Sequence, residues 1–398
     1  MTRLPSALRP LFPWVKAGVL RATQAASPLT RRLPRTEDRP RPPRHAATTA
    51  AGYVAAHPAA GVRVVEVAAR EVMERELPSG LPARHSQFAA HRREVVGPNV
   101  VATIRHGRAL DHYAAVITED DTLLFDLSPY YGVRRPSQHP VFLRWSLPEI
   151  TSVQGSVGVL TTRGSENYYH FLTDVLPRLE LIRRAGVAPD SFLVNRSTRF
   201  QRDLLDALGL TADRCLGSDK FPHLRADELV VPSLPDENLK TPRWVVPWLR
   251  AQFLPDSVAA PHRRLYVGRG TARHTRRVDN EAAVLAVLEP LGFEAIDPGA
   301  LAPAEQVRAF AEAECVVGPH GAGLTNLAFA PRGAAVVELF ARDYVNECFW
   351  ALASTVEGLR YRYLVGDGTP SRSRRNRGVA SDITVDPIQV RRLLAELL

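Results

Sequence analysis

Cysteine is scarce in this chain: three occur in 398 residues, at positions 215, 315 and 348. They are too far apart for a disulfide framework or for metal-ligand spacing, and so few thiols fit a reducing compartment. Cys315 sits in an apolar run and is expected as a small buried hydrophobe. Long apolar runs are missing too. LFPWVKAGVL near the N-terminus is short and interrupted by Lys16, which makes a poor signal peptide and cannot span a bilayer. Three phosphate-handling motifs are absent as well. Without a Gly-Lys-Ser/Thr P-loop, phosphoryl transfer of that type is excluded, and without Asp-x-Asp no carboxylate pair is at hand for a metal-bridged diphosphate. Gly-Arg-Gly at 268–270 lacks the third glycine of a dinucleotide fingerprint, and GPHGAG has the wrong register for one.

What is abundant is positive charge, a formal +9. It is unevenly placed: residues 1–50 hold nine Arg and one Lys against one Asp and one Glu, so nearly all of the excess lies there. The basic character belongs to a leader, not to a folded face, which argues against a nucleic-acid partner. Pro- and Arg-rich from about residue 28, the leader reads as a disordered tether over 1–50. Its first part offers at most a weak peripheral contact with an anionic membrane surface. The expected location is cytoplasmic or at the inner membrane surface. At 45% apolar residues the remainder is globular, and its length calls for more than one core.

Residues 51–150 read as a β-rich region, in which DHYAAVITEDDTLLFDL turns at Glu119-Asp120-Asp121 as a hairpin. From 151 strands alternate with helices. VGVLTT, SFLVN and DELVVPSLP are strand-like, ENYYHFLTDVLPRLELIRRAG reads as one long amphipathic helix ended by Gly186, and RDLLDALGL is a helix. NLKTPRWVVPWLRAQFLPDSVAAP, with four prolines, reads as a connector. From 256 the alternation is cleaner: RRLYVG, FEAID, CVVG, AAVVELF and LRYRYLVG as strands, with a helix capped by Asn280 and another opened by Pro303. The expected fold is α/β, with two doubly wound, Rossmann-like domains at 151–255 and 256–398 behind the N-terminal region.

Ligands on open parallel sheets bind beyond the carboxyl ends of the strands. The turn GRGTARHTRRVDNE places Arg269, Arg273, Arg276 and Arg277 at such an end, and planar guanidinium forks suit phosphate oxygens. GPHGAGLTN places His320, Gly321 and Gly323 at another, where glycines let backbone N–H groups approach an anion. A diphosphate suits both, with Glu338 at the end of the next strand as a candidate acceptor for ribose hydroxyls. In the first half, ENYYHFLTD sets His170 and Asp174 four residues apart on one helix face, flanked by Asn167 and Arg178. A carboxylate beside a histidine raises its basicity and orients it, which suits a general base; the same spacing also describes an ordinary surface pair.

NYYHFLTDVLPRL at 167–179, RLYVGRGTARHTRRVDNE at 264–281, AEQVRAFAEAECVVGPHGAGLTN at 304–326 and AVVELF at 335–340 together resemble glycosyltransferase family 61, in the family's order and over roughly residues 150–345. The resemblance implies two facing Rossmann-like domains (GT-B), a nucleotide-sugar donor in the C-terminal domain and inversion at the anomeric carbon. It implies donor binding by Arg269 and Arg277, with Arg276 an extra candidate, and by His320, Gly321, Gly323 and Asn326. It places His170 and Asp174 on the wall facing the donor. The family commonly has serine where Gly268 stands. The sequence does not decide which of His170 and Asp174 is the base; the working assignment is His170 as base, oriented by Asp174. No metal or other cofactor is expected. The expected partners are a nucleotide-sugar donor and a glycan acceptor, and a hexosyl- or pentosyltransferase of polysaccharide biosynthesis is the leading reading. A non-catalytic nucleotide-sugar or glycan-binding scaffold and a nucleotide-dependent oxidoreductase are its rivals. The loop SRSRRNRG at 371–378 has no assigned role.

Overall fold

The computed structural model of the protein describes residues 40–130, 132–235, 240–270, 276–368 and 378–398. The leader up to residue 39, Arg273 and residues 371–377 of the basic loop lie outside them.

The protein is a mixed α/β structure with two large sheets. Six strands, all parallel, make the second sheet. Across it run Phe293–Ile296, Arg263–Val267, Ala313–Pro319, Ala335–Phe340 and Arg360–Val365. In chain order these are the second, first, third, fourth and fifth strands, one of the two common doubly wound orders. Its middle strands are continuous apolar runs because helices cover both faces; Ala335–Phe340 is buried at every position. The sixth strand is Ser79–Leu81, which comes from far earlier in the chain and pairs with Arg362–Leu364. Gly80 permits this, since a Cβ there would overlap the backbone and ring of Tyr363.

The first sheet is ten-stranded and mixed. Its parallel part is Thr151–Val159, Ser191–Leu193, Cys215–Leu216 and His223–Pro232. The last of these also pairs antiparallel with Asn99–Arg105 and Arg108–Leu110. Strands of the N-terminal region join both sheets, while Glu71–Glu74 and Arg93–Val96 pair with one another in a small sheet of their own. The expected hairpin forms between Ala115–Ile117 and Thr122–Leu124, and Asp121 in its turn bonds Arg108 at 2.5 Å. His45–Ala47 pairs with Thr122–Leu124, so residues 45–47, expected in the tether, belong to the sheet.

Three local expectations are corrected. The single long helix is broken: Tyr168–His170 is α-helical, Phe171–Val175 is a π-helix, and Arg178–Arg184 resumes the α-helix. Pro177 has no N–H to continue the ladder, and Leu176 N–H reaches back five residues to Phe171 O at 3.0 Å. The connector contains the helix Val245–Phe253, docked by buried Val245, Val246 and Leu249. Asn280 stands at the cap position of Glu281–Leu288 but does not cap it, because its side-chain amide bonds both Val385 O at 2.7 Å and Val385 N at 3.2 Å.

The largest apolar core is shared between the halves. It joins Tyr169, Phe171, Leu172 and Leu176 of the broken helix to Leu324, Leu327, Phe340 and Phe349 of the second half.

Candidate functional site

In the doubly wound order, the first and third strands are neighbours whose connections leave in opposite directions, and a crevice opens beyond their carboxyl ends. Here those ends are Val267, followed by Arg269, and Pro319, followed by His320. The two loops lie in contact: a Cβ on Gly321 would overlap Arg269 Nη1. Gly323 is nearly as tight, its Cβ position standing 3.0 Å from Pro298 and 3.3 Å from Val267. Both glycines are thus explained by close packing at the crevice.

His320 is 5% exposed. Its backbone N–H donates to Leu339 O at 2.8 Å and its Nδ1 lies 2.5 Å from Glu338 Oε1. The ring is stacked near Phe340, with centroids 5.3 Å apart, and is further bounded by Tyr344 and Phe349. Burial, then Arg276 and Arg269, hold its imidazole well below the usual range. Glu338 is fully buried, and its second oxygen accepts from Tyr361 Oη. With both oxygens occupied, Glu338 stands behind His320, and in this structure it meets histidine and tyrosine where ribose hydroxyls were expected.

The arginines divide. Burial and then the charges of Arg276 and Arg277 push the Arg269 guanidinium down to about 10, as desolvation of a cation requires. Arg276 takes a left-handed backbone (φ 59°), bonds Val379 O at 3.0 Å and lies over the Tyr344 ring. Arg277 is exposed, and its backbone, not its side chain, is tied to Asp382 and Ile383. The nearby N-terminus of Glu281–Leu288 meets a carboxylate of its own, since Glu281 accepts from Tyr266 Oη at 2.9 Å. Asn326, 0% exposed, is fully engaged: it donates to Gln306 Oε1 and Gly323 O and accepts from Tyr168 Oη at 2.9 Å. It shapes the loop.

On the opposite side, His170 Nδ1 lies 2.7 Å from Asp174 Oδ2. Asp174 Oδ1 also accepts from Thr173 Oγ1 at 2.9 Å, which fixes the carboxylate. The polar stripe on this helix is not a solvated face. Asn167 caps the first turn through Tyr169 N–H, and Arg178 is buried, donating to Leu160 O and Thr161 O just past the first parallel strand. The two clusters meet through residues that the spacing of charged groups did not reveal. Tyr169 packs edge-on against Phe349, 5.5 Å between centroids, and Phe349 lies 5.0 Å from the His320 ring. Tyr168 and Tyr361 carried a signal only in hindsight, as hydroxyl-bearing residues inside an apolar helix and an apolar strand.

Among the described residues, no group of three or more His, Cys, Asp and Glu side chains is placed to hold a metal ion, and no helix is long and apolar enough to cross a membrane. Two cavities of about 600 and 690 Å³ open elsewhere, on the first sheet; one is lined by His106, Arg108, Arg225 and Asp227, the other by Tyr53, His57 and Asp120. Neither includes a member of these clusters.

The broken helix, the arginine turn and the glycine loop all fall within one matched segment: residues 168–337 fit the family model described as Glycosyltransferase 61. Residues 168–337 belong to glycosyltransferase family 61. The family makes this region a transferase domain that takes a sugar donor and a glycan acceptor in general terms. Glu338 and Tyr361 lie just beyond the match, so part of the His320 environment is built outside it. No curated protein matches the chain.

Proposed function

We propose that the protein transfers a sugar from a nucleoside-diphosphate donor to a hydroxyl of a glycan, with inversion at the anomeric carbon. The observation that carries this is the meeting of the two clusters. His170–Asp174 is an acid–base pair on one half, and Arg269, Arg276 and His320 surround the switch point of the other. Tyr168–Asn326 and Tyr169–Phe349 join them. An inverting transfer needs such a layout: a base on the acceptor side, and charge stabilisation at the departing diphosphate on the other. The two halves correspond in this reading to the acceptor and donor domains of a GT-B enzyme.

In the mechanism, the diphosphate lies over the Gly321–Gly323 backbone, with the Arg269 and Arg276 guanidinium groups balancing its charge; no metal is invoked. His170 takes the proton of the attacking hydroxyl through Nε2, because Nδ1 is committed to Asp174. The carboxylate holds the ring orientation and stabilises the imidazolium that forms. As the bond to the anomeric carbon breaks, the leaving oxygen gains negative charge beside preorganised donors.

Thermal-shift and calorimetric titrations with UDP, GDP, CMP and NAD, with and without magnesium, test the reading. Selective binding of one nucleoside diphosphate, abolished in Arg269→Ala, is the expected result. Binding of NAD alone would favour an oxidoreductase, and no binding by folded protein would favour a scaffold.

A further inference from the structure

Three side chains on three adjacent strands form a line inward from the switch point. His320 follows the third strand, Glu338 lies on the fourth and Tyr361 on the fifth. The first contact is Nδ1 to Oε1 at 2.5 Å, and the second runs from Tyr361 Oη to Glu338 Oε2. Glu338 therefore sits in full burial between two neutral hydrogen-bonding groups, and among the described residues no Lys or Arg is shown bonded to either oxygen.

The protonation of the line follows from what surrounds it. Arg269 and Arg276 are the charged groups that bear on His320, and both disfavour an imidazolium there. Lys240 and Glu347, which bear on Cys348, are bonded to one another at 2.5 Å, and Lys240 also pairs with Glu94 at 3.2 Å. A neutral imidazole carries one N–H. If Glu338 were ionised, Nδ1 would hold that hydrogen and Nε2 would present a lone pair. If Glu338 holds a proton, Nδ1 accepts it and Nε2–H becomes a donor. Burial favours the uncharged carboxyl, pushing Glu338 well above the usual carboxylate range against the pull of Tyr361 and Arg276. Only the second arrangement gives His320 a hydrogen-bond donor on the ring nitrogen that Glu338 does not occupy.

Resting on the transferase reading above, we propose that Glu338 is protonated in the resting protein and acts through His320 as a proton relay to the leaving diphosphate. As the bond from the anomeric carbon to the diphosphate oxygen breaks, its electron pair stays on that oxygen. The oxygen takes the Nε2 proton, Glu338 delivers its proton to Nδ1, and the carboxylate left behind is held by Tyr361 Oη. The imidazole is neutral before and after, so no imidazolium forms beside the two arginines. Product release and return of a proton from water through Nε2 restore the starting state. In this scheme Glu338 and Tyr361 are positioning residues that act through His320.

The test is the tautomer of His320 in full-length protein labelled with ¹⁵N-histidine, read from two-bond proton–nitrogen correlations, with His320→Gln identifying the signal. The expected result is a protonated Nε2 and a bare Nδ1. A protonated Nδ1 with bare Nε2, or protonation of both, overturns the relay. This readout needs no turnover, so it stands or falls separately from the transferase reading. The second arm is Glu338→Gln, whose amide N–H donates to Nδ1 as a carboxylic acid would but cannot give up its proton. It is expected to keep the Nε2–H signal and nucleoside-diphosphate affinity while turnover falls at least tenfold. Wild-type turnover in that variant would overturn the relay and leave the transferase assignment intact.

Discussion

Tyr168 Oη donates to Asn326 Oδ1 at 2.9 Å, joining residues 158 apart in sequence. One is the neighbour-but-one of His170, and the other closes the glycine loop that begins at His320. The side-chain oxygen of a loop-forming asparagine is thus satisfied by the helix that carries the His170–Asp174 pair. Tyr168→Phe removes only the hydroxyl and leaves a buried acceptor unpaired, which costs about 1 kcal/mol of stability. Turnover should fall several-fold as the two clusters lose register, while nucleoside-diphosphate affinity stays within about twofold. Steady-state kinetics beside calorimetry would separate the effects, and an unchanged turnover would show that this bond is structural only.

His170→Ala should lower turnover by about 10²–10⁴, the range for loss of a general base. Asp174→Asn should have a smaller effect, because Thr173 still holds the side chain. Neither change touches the switch-point residues, so nucleoside-diphosphate binding should persist in both. If His170→Ala turns over normally and Asp174→Asn does not, the carboxylate is the base.

Arg269 and Arg277 differ in placement, one packed against Gly321 and the other exposed. Arg269→Ala should weaken nucleoside-diphosphate binding by at least about tenfold, the size of one charge-assisted contact. Arg277→Ala should weaken it less. Equal losses would mean that Arg277 swings inward when the ligand binds.

Gly321→Ala offers a finer probe. The added methyl must displace the flexible end of Arg269, which costs little in folding but moves the guanidinium. Melting should change by only a few degrees while nucleoside-diphosphate affinity drops as in Arg269→Ala. Gly268→Ala should be mild in both respects, since the nearest atom to its Cβ position is Ile296 O at 3.4 Å.

Stability should decline on the acid side. Burial pushes His139 and His223 each down to about 4 from the ordinary 6.5. Below about pH 6.5 the unfolded chain takes up protons that the folded chain refuses until about pH 4, so stability falls as pH falls through that window. Each of the two contributes about 3 kcal/mol to this loss. Glu338 has the opposite sign: its raised carboxyl keeps a proton that the unfolded chain releases above about 4.5, so its contribution falls as pH rises. Urea midpoints at pH 7 and pH 4.5 should differ clearly, and the difference should shrink in a His139→Gln, His223→Gln double variant. Equal midpoints in the unaltered protein would contradict the buried neutral state of these rings.

The strands of the second sheet were legible because their apolar runs are bounded by glycine and proline, and the positions of Arg269 and His320 followed from strand ends alone. The long helix was misread because period and composition suit an α-helix on both sides of Pro177, and a π-turn has no residue signature of its own. Glu338 shows the limit more sharply. A strand-end glutamate can face a ligand or a neighbouring histidine with the same local sequence, and the contacts of Glu338 with His320 and Tyr361 emerge only once three strands are side by side. Ser79–Leu81 could not be assigned to the second sheet from sequence, because nothing in a three-residue stretch specifies a partner some 280 residues later.

That strand ties the architecture together. The chain leaves the first sheet after Val62–Ala68, enters the second at Ser79–Leu81 and returns at Asn99–Arg105, before crossing again between Pro232 and Arg263. Any opening of one half against the other must therefore bend three covalent crossings together, which favours a small rocking motion over a wide hinge. A shortened chain that begins after residue 98 would keep every residue of the matched family segment, yet it would bare the backbone edge of Arg360–Val365. Such an edge is a template for pairing with other chains, so the shortened protein should aggregate with its transferase region formally intact.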